Sequence, residues 1–82
     1  MKPSAEIYVE WIEDEAVLLN RETGQLHYLN PQAALVYALM LEHGYEGALR
    51  ELRERFAGEP SLEADVTALV GTFREKGVLV DG

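Results

Sequence analysis

The sequence predicts an α+β fold in which a three-stranded antiparallel sheet is followed by three helices. Three short stretches before Asn30 have patterns typical of strands. Two of them alternate apolar with polar residues, and the one between them is a short apolar run. After Pro31, apolar residues recur at spacings of three and four, which is typical of amphipathic helices. A length of 82 residues allows one small domain, residues 1–82, and no second one.

Two short turns separate the three predicted strands. In the first strand, residues 5–11, apolar side chains occupy every second position. A charged turn at residues 13–15 leads to the second strand, residues 16–20. The next turn ends at Gly24, which can adopt the positive φ of a hairpin, and the third strand follows at residues 25–29.

Asn30 and Pro31 mark the start of the first helix, as N-cap and first helical residue. This helix is apolar over most of its surface and is expected to lie at the centre of the core. It is predicted to end at Gly44, and a second amphipathic helix covers residues 46–57. Leu35→Ala is expected to cost about 2–5 kcal/mol of stability by leaving a cavity.

The third predicted helix begins after Ser61, which is a favourable N-cap, and ends at Gly77. Its apolar stripe includes Leu69 and Phe73. The apolar segment that follows, residues 78–80, is expected to pack back against the core.

Composition excludes several classes of function. Fifteen acidic and seven basic residues give a net charge of −8, which disfavours nucleic-acid partners. The absence of cysteine excludes disulfides, thiolate nucleophiles and cysteine zinc sites. No stretch approaches the roughly 18 apolar residues of a membrane span, and the N-terminus lacks a signal-peptide pattern. We therefore expect a cytoplasmic protein with no nucleic-acid or membrane partner.

Candidate catalytic and metal-binding groups are few. His27 lies in the third predicted strand and His43 at the end of the first helix, so local spacing does not bring them together. The acidic residues 13–15 lack the alternating ligand pattern of a calcium loop. The glycines do not form a phosphate-binding loop. We therefore expect no enzymatic activity, no cofactor and no metal.

Two features indicate binding instead. The third predicted strand has no charge at neutral pH, and an edge strand without lysine, proline or a bulge can recruit another strand. The periodicity is equally compatible with a strand that lies in the middle of the sheet or is covered by a helix. In the third helix, glycine at position 71 lowers helix stability by about 1 kcal/mol relative to alanine. It therefore suggests close approach, either by a ligand in a groove or by the protein's own sheet.

Several motifs resemble the PqqD-like family, the precursor-peptide recognition elements of ribosomally made, post-translationally modified peptides. They are the hairpin of residues 20–30 with Gly24, Tyr37 in an alanine-rich helix, Asp65-Val66, and Gly77-Val78-Leu79. The resemblance covers about residues 17–80. Within the family, the chain looks more like the stand-alone B1-type elements of lasso-peptide pathways than like the pyrroloquinoline quinone protein itself.

The resemblance implies a winged-helix-like fold and a non-catalytic function. The leader of a precursor peptide would add as a strand to the third strand, lie in the groove between that strand and the third helix, and pass to a modifying enzyme or leader peptidase. Asp65 could pair with a basic leader residue or merely favour the helix N-terminus. The implied leader-binding residues are Gln25, Leu26, His27, Tyr28 and Leu29 on the strand, and Asp65, Ala68, Leu69, Thr72 and Phe73 on the helix.

A winged-helix-like fold also allows an alternative, a DNA-binding regulator that presents a helix to the major groove. Charge argues against it. The third helix begins with Glu63 and Asp65, and the only basic cluster, within residues 50–55, is interleaved with glutamates.

Overall fold

The computed structural model of the protein describes residues 1–80 and contains three strands followed by two helices. The strands are β1 (Ile7–Ile12), β2 (Glu15–Asn20) and β3 (Leu26–Leu29), and the helices are α1 (Pro31–Arg55) and α2 (Leu62–Glu75). The predicted α+β class and three-stranded antiparallel sheet are confirmed. Strand bounds differ from the predicted ones by one or two residues.

The sheet has the order β1-β2-β3, with β2 in the middle. Directly paired residues point to the same face of a sheet. On the face toward the helices, Leu18 of β2 is fully buried, and Ala16 pairs with the buried Leu29 of β3. On the opposite face, Leu26 and Tyr28 of β3 are exposed. The sheet therefore contributes one face to the core.

The predicted count of three helices is wrong, because the two helical segments expected on either side of Gly44 form one kinked helix, α1. Gly44 alone departs from helical geometry, with φ 74° and ψ −179°. A residue without Cβ adopts this left-handed φ at little cost. The chain thus changes direction at a single residue, where the end of one helix and the start of another were expected.

The start of α1 is formed as predicted. Asn30 has extended backbone angles, and its side-chain oxygen accepts a hydrogen bond of 2.9 Å from the backbone N–H of Ala33. Pro31 occupies the first turn, where its missing N–H leaves no helical hydrogen bond unmade. β3 therefore leads into α1 with Asn30 as the connecting residue.

Tyr37 joins the sheet, both helices and the C-terminal segment. Its buried ring packs edge-on against Phe73 of α2, with 5.2 Å between ring centroids, and lies 6.4 Å from the ring of Trp11 of β1. Its hydroxyl donates a 2.6 Å hydrogen bond to the carbonyl of Val78. Burial raises the pKa of Tyr37 to about 12. Val78 and Leu79 are buried, which confirms that the segment after α2 packs against the core.

Within the described residues, neither helix has the length and apolar character needed to cross a lipid bilayer.

Candidate functional site

β3 lies at a free edge of the sheet. One side of it pairs with β2, and no strand within residues 1–80 pairs with the other. β3 contacts the start of α1 but not α2, and its continuous register with β2 contains no bulge. The alternative of a central strand is therefore excluded. Its outward N–H and C=O groups can accept an additional strand.

An apolar groove of about 430 Å³ lies between α1 and α2. The groove was expected between the third strand and this last helix, but no β3 residue lines it, because α1 and not β3 packs against α2. Of its apolar side chains, Leu35, Leu62 and Leu69 are only partly buried and Phe56 is 44% exposed. This groove therefore presents uncovered hydrophobic surface. Its apolar lining comprises Leu35, Val36, Leu52, Phe56, Leu62, Val66 and Leu69.

Polar contacts outside the groove fix the position of α1 against α2. The hydroxyls of Tyr45 and Thr67 lie 2.7 Å apart, and the guanidinium of Arg53 donates to the carboxylate of Glu63 at 2.9 Å. Each contact joins one helix to the other. The groove walls are therefore held in place without a ligand.

The groove also carries negative charge. Glu59 and Asp65 line it, and the Ser61 hydroxyl lies within hydrogen-bonding distance of both carboxylates, at 3.2 and 3.0 Å. Ser61 occupies the predicted N-cap position of α2, but its side chain makes no hydrogen bond to the helix backbone. No salt bridge within residues 1–80 involves Glu59 or Asp65. The arrangement therefore suits a ligand with apolar side chains and a basic group.

The predicted helix residues fall into three groups. Asp65 and Leu69 line the groove. Ala68 and Thr72 are exposed on α2 outside it, and the Thr72 hydroxyl donates to the Ala68 carbonyl at 3.1 Å. Phe73 is 2% exposed and packs on Tyr37, so it belongs to the core instead of a ligand-contacting surface.

The predicted strand residues are not equivalent either. Leu26 and Tyr28 point away from the helices, and the Tyr28 hydroxyl donates to the carboxylate of Glu15. Leu29 is buried, and Gln25 is exposed just before β3 begins. His27 is half-buried on the helix-facing side, and its buried Nε2 has no hydrogen-bond partner among the described residues. β3 therefore offers mainly its backbone at the free edge.

Two further expectations need correction. Leu35, predicted to lie in the core, is only partly buried and lines the groove. Of the two alternatives left open for Gly71, close approach by the protein's own sheet is excluded, because an added Cβ would meet no atom within 4 Å.

The sequence-based prediction did not include the groove wall that α1 forms. Leu35 and Phe56 are 21 positions apart in the chain, and both have the apolar spacing expected of core residues. Only the exposure of its large aromatic side chain distinguishes Phe56 from a core residue. Because exposure is a property of the folded chain, the sequence could not show it.

Comparison with known proteins identifies the family. The family model for coenzyme PQQ synthesis protein D (PqqD) matches residues 15–79. The chain belongs to the PqqD family. The resemblance seen in the sequence is thereby confirmed. Among curated protein sequences, none matches this PqqD-family chain.

Two solved structures share the fold of this PqqD-family protein. TbiB1 in complex with the TbiA(beta) leader peptide has a TM-score of 0.81 and 24% identity, over 99% of this chain and 100% of that chain. A lasso peptide synthetase B1 complexed with the leader peptide has a TM-score of 0.82 and 27% identity, over 98% of this chain and 96% of that chain. The comparisons give no support to the DNA-binding alternative.

Proposed function

We propose that this protein binds the leader segment of a ribosomally made precursor peptide and delivers it to a modifying enzyme or leader peptidase, without catalysing a reaction. The observation that carries the proposal is that a structural relative with 27% identity over nearly the whole chain was solved with a leader peptide bound. We place this step in the cytoplasm, because ribosomes make the precursor there. Lasso-peptide biosynthesis is the pathway class that this relative favours.

The free edge of β3 supports a specific mode of binding. A leader that adds as a strand beside Leu26–Leu29 would form main-chain hydrogen bonds with the free N–H and C=O groups of β3. These bonds require no particular leader sequence. They would set the orientation and register of the peptide but contribute little selectivity.

Selectivity in this proposal comes from the groove. Apolar leader side chains would cover Leu35, Phe56 and Leu69, and a basic leader side chain would pair with Asp65 or Glu59. The Ser61 hydroxyl can donate its single hydrogen to one of these carboxylates at a time, so the carboxylate that accepts it loses less side-chain freedom on pairing. The best leader would therefore combine apolar residues with lysine or arginine.

The same geometry supports a binding role without catalysis. The site is an open groove and an open strand edge. A protein of this kind accelerates a reaction by holding the peptide near its enzyme, which raises the effective concentration of the peptide.

Hydrogen exchange tests the strand-addition step. The probe is a synthetic peptide covering the leader half of the nearest short open reading frame. Docking is expected to slow exchange of the β3 amides that point outward, because the added strand accepts their hydrogen bonds. Unchanged exchange across Leu26–Leu29 at saturating peptide would refute strand addition to β3.

Substitutions in the groove test its part in selectivity. Leu69→Arg and Asp65→Lys are each expected to weaken leader binding by tenfold or more, whereas helix content measured by circular dichroism is retained. Matched controls on α2 are Ala64→Arg and Glu75→Lys, which introduce the same charges at exposed positions outside the groove. Equal leader affinity for groove and control variants would refute this contact surface.

A further inference from the structure

A second apolar pocket of about 440 Å³ lies between the β1–β2 turn and the first turns of α1. One wall is the indole of Trp11, which is 46% exposed although its ring also lies near Tyr37. The opposite wall is α1, where Ala34 and Ala38, one turn apart, leave room for an inserted side chain. The pocket is therefore large enough for one bulky apolar side chain and remains uncovered.

The rim of this pocket is acidic. Glu13 and Asp14, the two residues of the β1–β2 turn, line it together with the apolar residues. No basic residue lines the pocket, and no salt bridge within residues 1–80 involves either carboxylate. Charge complementarity therefore favours an occupant in which an apolar side chain lies next to lysine or arginine.

The pocket adjoins the groove described above, on the other side of α1. Gln32 and Leu35 line both, so only the first turns of α1 separate the two. β3 ends at Leu29, next to these turns. An extended chain spans roughly 3.3–3.6 Å per residue. A few residues of a peptide docked on β3 would therefore reach from the end of the strand to Trp11.

We propose that this pocket binds a second part of the same leader, a flanking segment with an apolar side chain adjacent to a basic one. The inference rests on the proposed function. Docking on β3 would hold the flanking segment at a high effective concentration near Trp11, so a modest contact is enough to fill the pocket. The protein would then read two segments of one peptide, one in the groove and one beyond the N-terminus of α1.

Trp11 supplies a specific readout, because the chain contains one tryptophan. The probes are the same synthetic leader peptide and two shortened forms of it. Each shortened form lacks the residues on one side of the segment that protects the β3 amides from exchange. The full leader is expected to change the Trp11 fluorescence, and one shortened form to lose that change while still protecting β3.

The charges are tested with the double variant Glu13→Gln/Asp14→Asn. It is expected to bind the full leader about 3- to 10-fold more weakly, the size expected for two exposed ion pairs. The affinity difference is expected to shrink in about 0.5 M salt, where exposed charges are screened. The matched control, Glu22→Gln/Glu46→Gln, removes two exposed charges elsewhere and is expected to keep normal affinity.

Three results would overturn the inference. The first is protection of β3 by the leader with no change in Trp11 fluorescence, and the second is equal affinity of the double variant and its control. The third is weaker binding of the purified partner enzyme to the double variant with unchanged leader affinity, which would assign the pocket to that enzyme. By contrast, absence of β3 protection with every peptide would refute the proposed function itself.

Discussion

Replacing Tyr37 by phenylalanine removes one hydroxyl from the centre of the fold and leaves the ring contacts in place. That hydroxyl donates the 2.6 Å hydrogen bond to the carbonyl of Val78. In Tyr37→Phe this carbonyl loses its donor in a buried setting, which costs about 1–3 kcal/mol of the free energy of unfolding. For a domain of this size, each kcal/mol lowers Tm by roughly 4–8 °C.

Urea unfolding and a thermal melt of both proteins measure this cost. A difference below about 0.5 kcal/mol would contradict the reasoning, because it would mean that the Val78 carbonyl is satisfied equally well without the hydroxyl. Phe73→Leu serves as a comparison, since it loses the edge-on ring contact but keeps the hydrogen bond.

The same pair of proteins gives a pH dependence. Burial raises the pKa of Tyr37 from 10.0 to about 12 in the folded protein, so the fold favours the neutral phenol. The contribution of the protonated Tyr37 phenol to the free energy of unfolding is present in full below pH 10. It is lost as the pH rises through about 12. The stability difference between the wild type and Tyr37→Phe should therefore decrease over that interval. A difference that stays constant to pH 12 would contradict the assigned pKa.

Three further substitutions test other parts of the structure. Leu52→Ala, at a position that is 1% exposed, should cost about 2–5 kcal/mol in urea unfolding, whereas Leu35→Ala at the groove should cost about 1 kcal/mol. Equal losses at the two positions would mean that Leu35 is a core residue. Gly71→Ala should raise the free energy of unfolding by about 1 kcal/mol, because the site is helical and open; a loss of stability would reveal a steric contact. Asn30→Ala should lower stability by about 1 kcal/mol through loss of the bond to Ala33, and an unchanged Tm would exclude a stabilising cap.

Local features of the sequence were reliable where short-range physics decides the structure. Alternation of apolar residues located the strands, and the pair Asn30-Pro31 located the start of α1. Gly44 was correctly found to interrupt the helical segment. Whether that interruption creates a loop or a kink depends on how the two segments pack, so the number of helices was not predictable from it.

The candidate site was predicted less completely. On α2, Leu69 lines the groove while Phe73 lies in the core, although both belong to one apolar stripe. Apolar spacing identifies the buried face of a helix but does not distinguish a residue covered by the protein from one left for a ligand. Asp65 was predicted as a site residue by its position in the family resemblance, and it lines the groove.

The sequence by itself determined the α+β class, the order of strands before helices, the family and a net charge that disfavours nucleic acid. Those properties depend on local patterns and composition. The tertiary structure alone decided that β3 is an edge strand, that α1 supplies one wall of the groove, and that Trp11 borders a second pocket. Each of these depends on which distant segments meet, and side-chain periodicity along one segment carries no information about its neighbours in space.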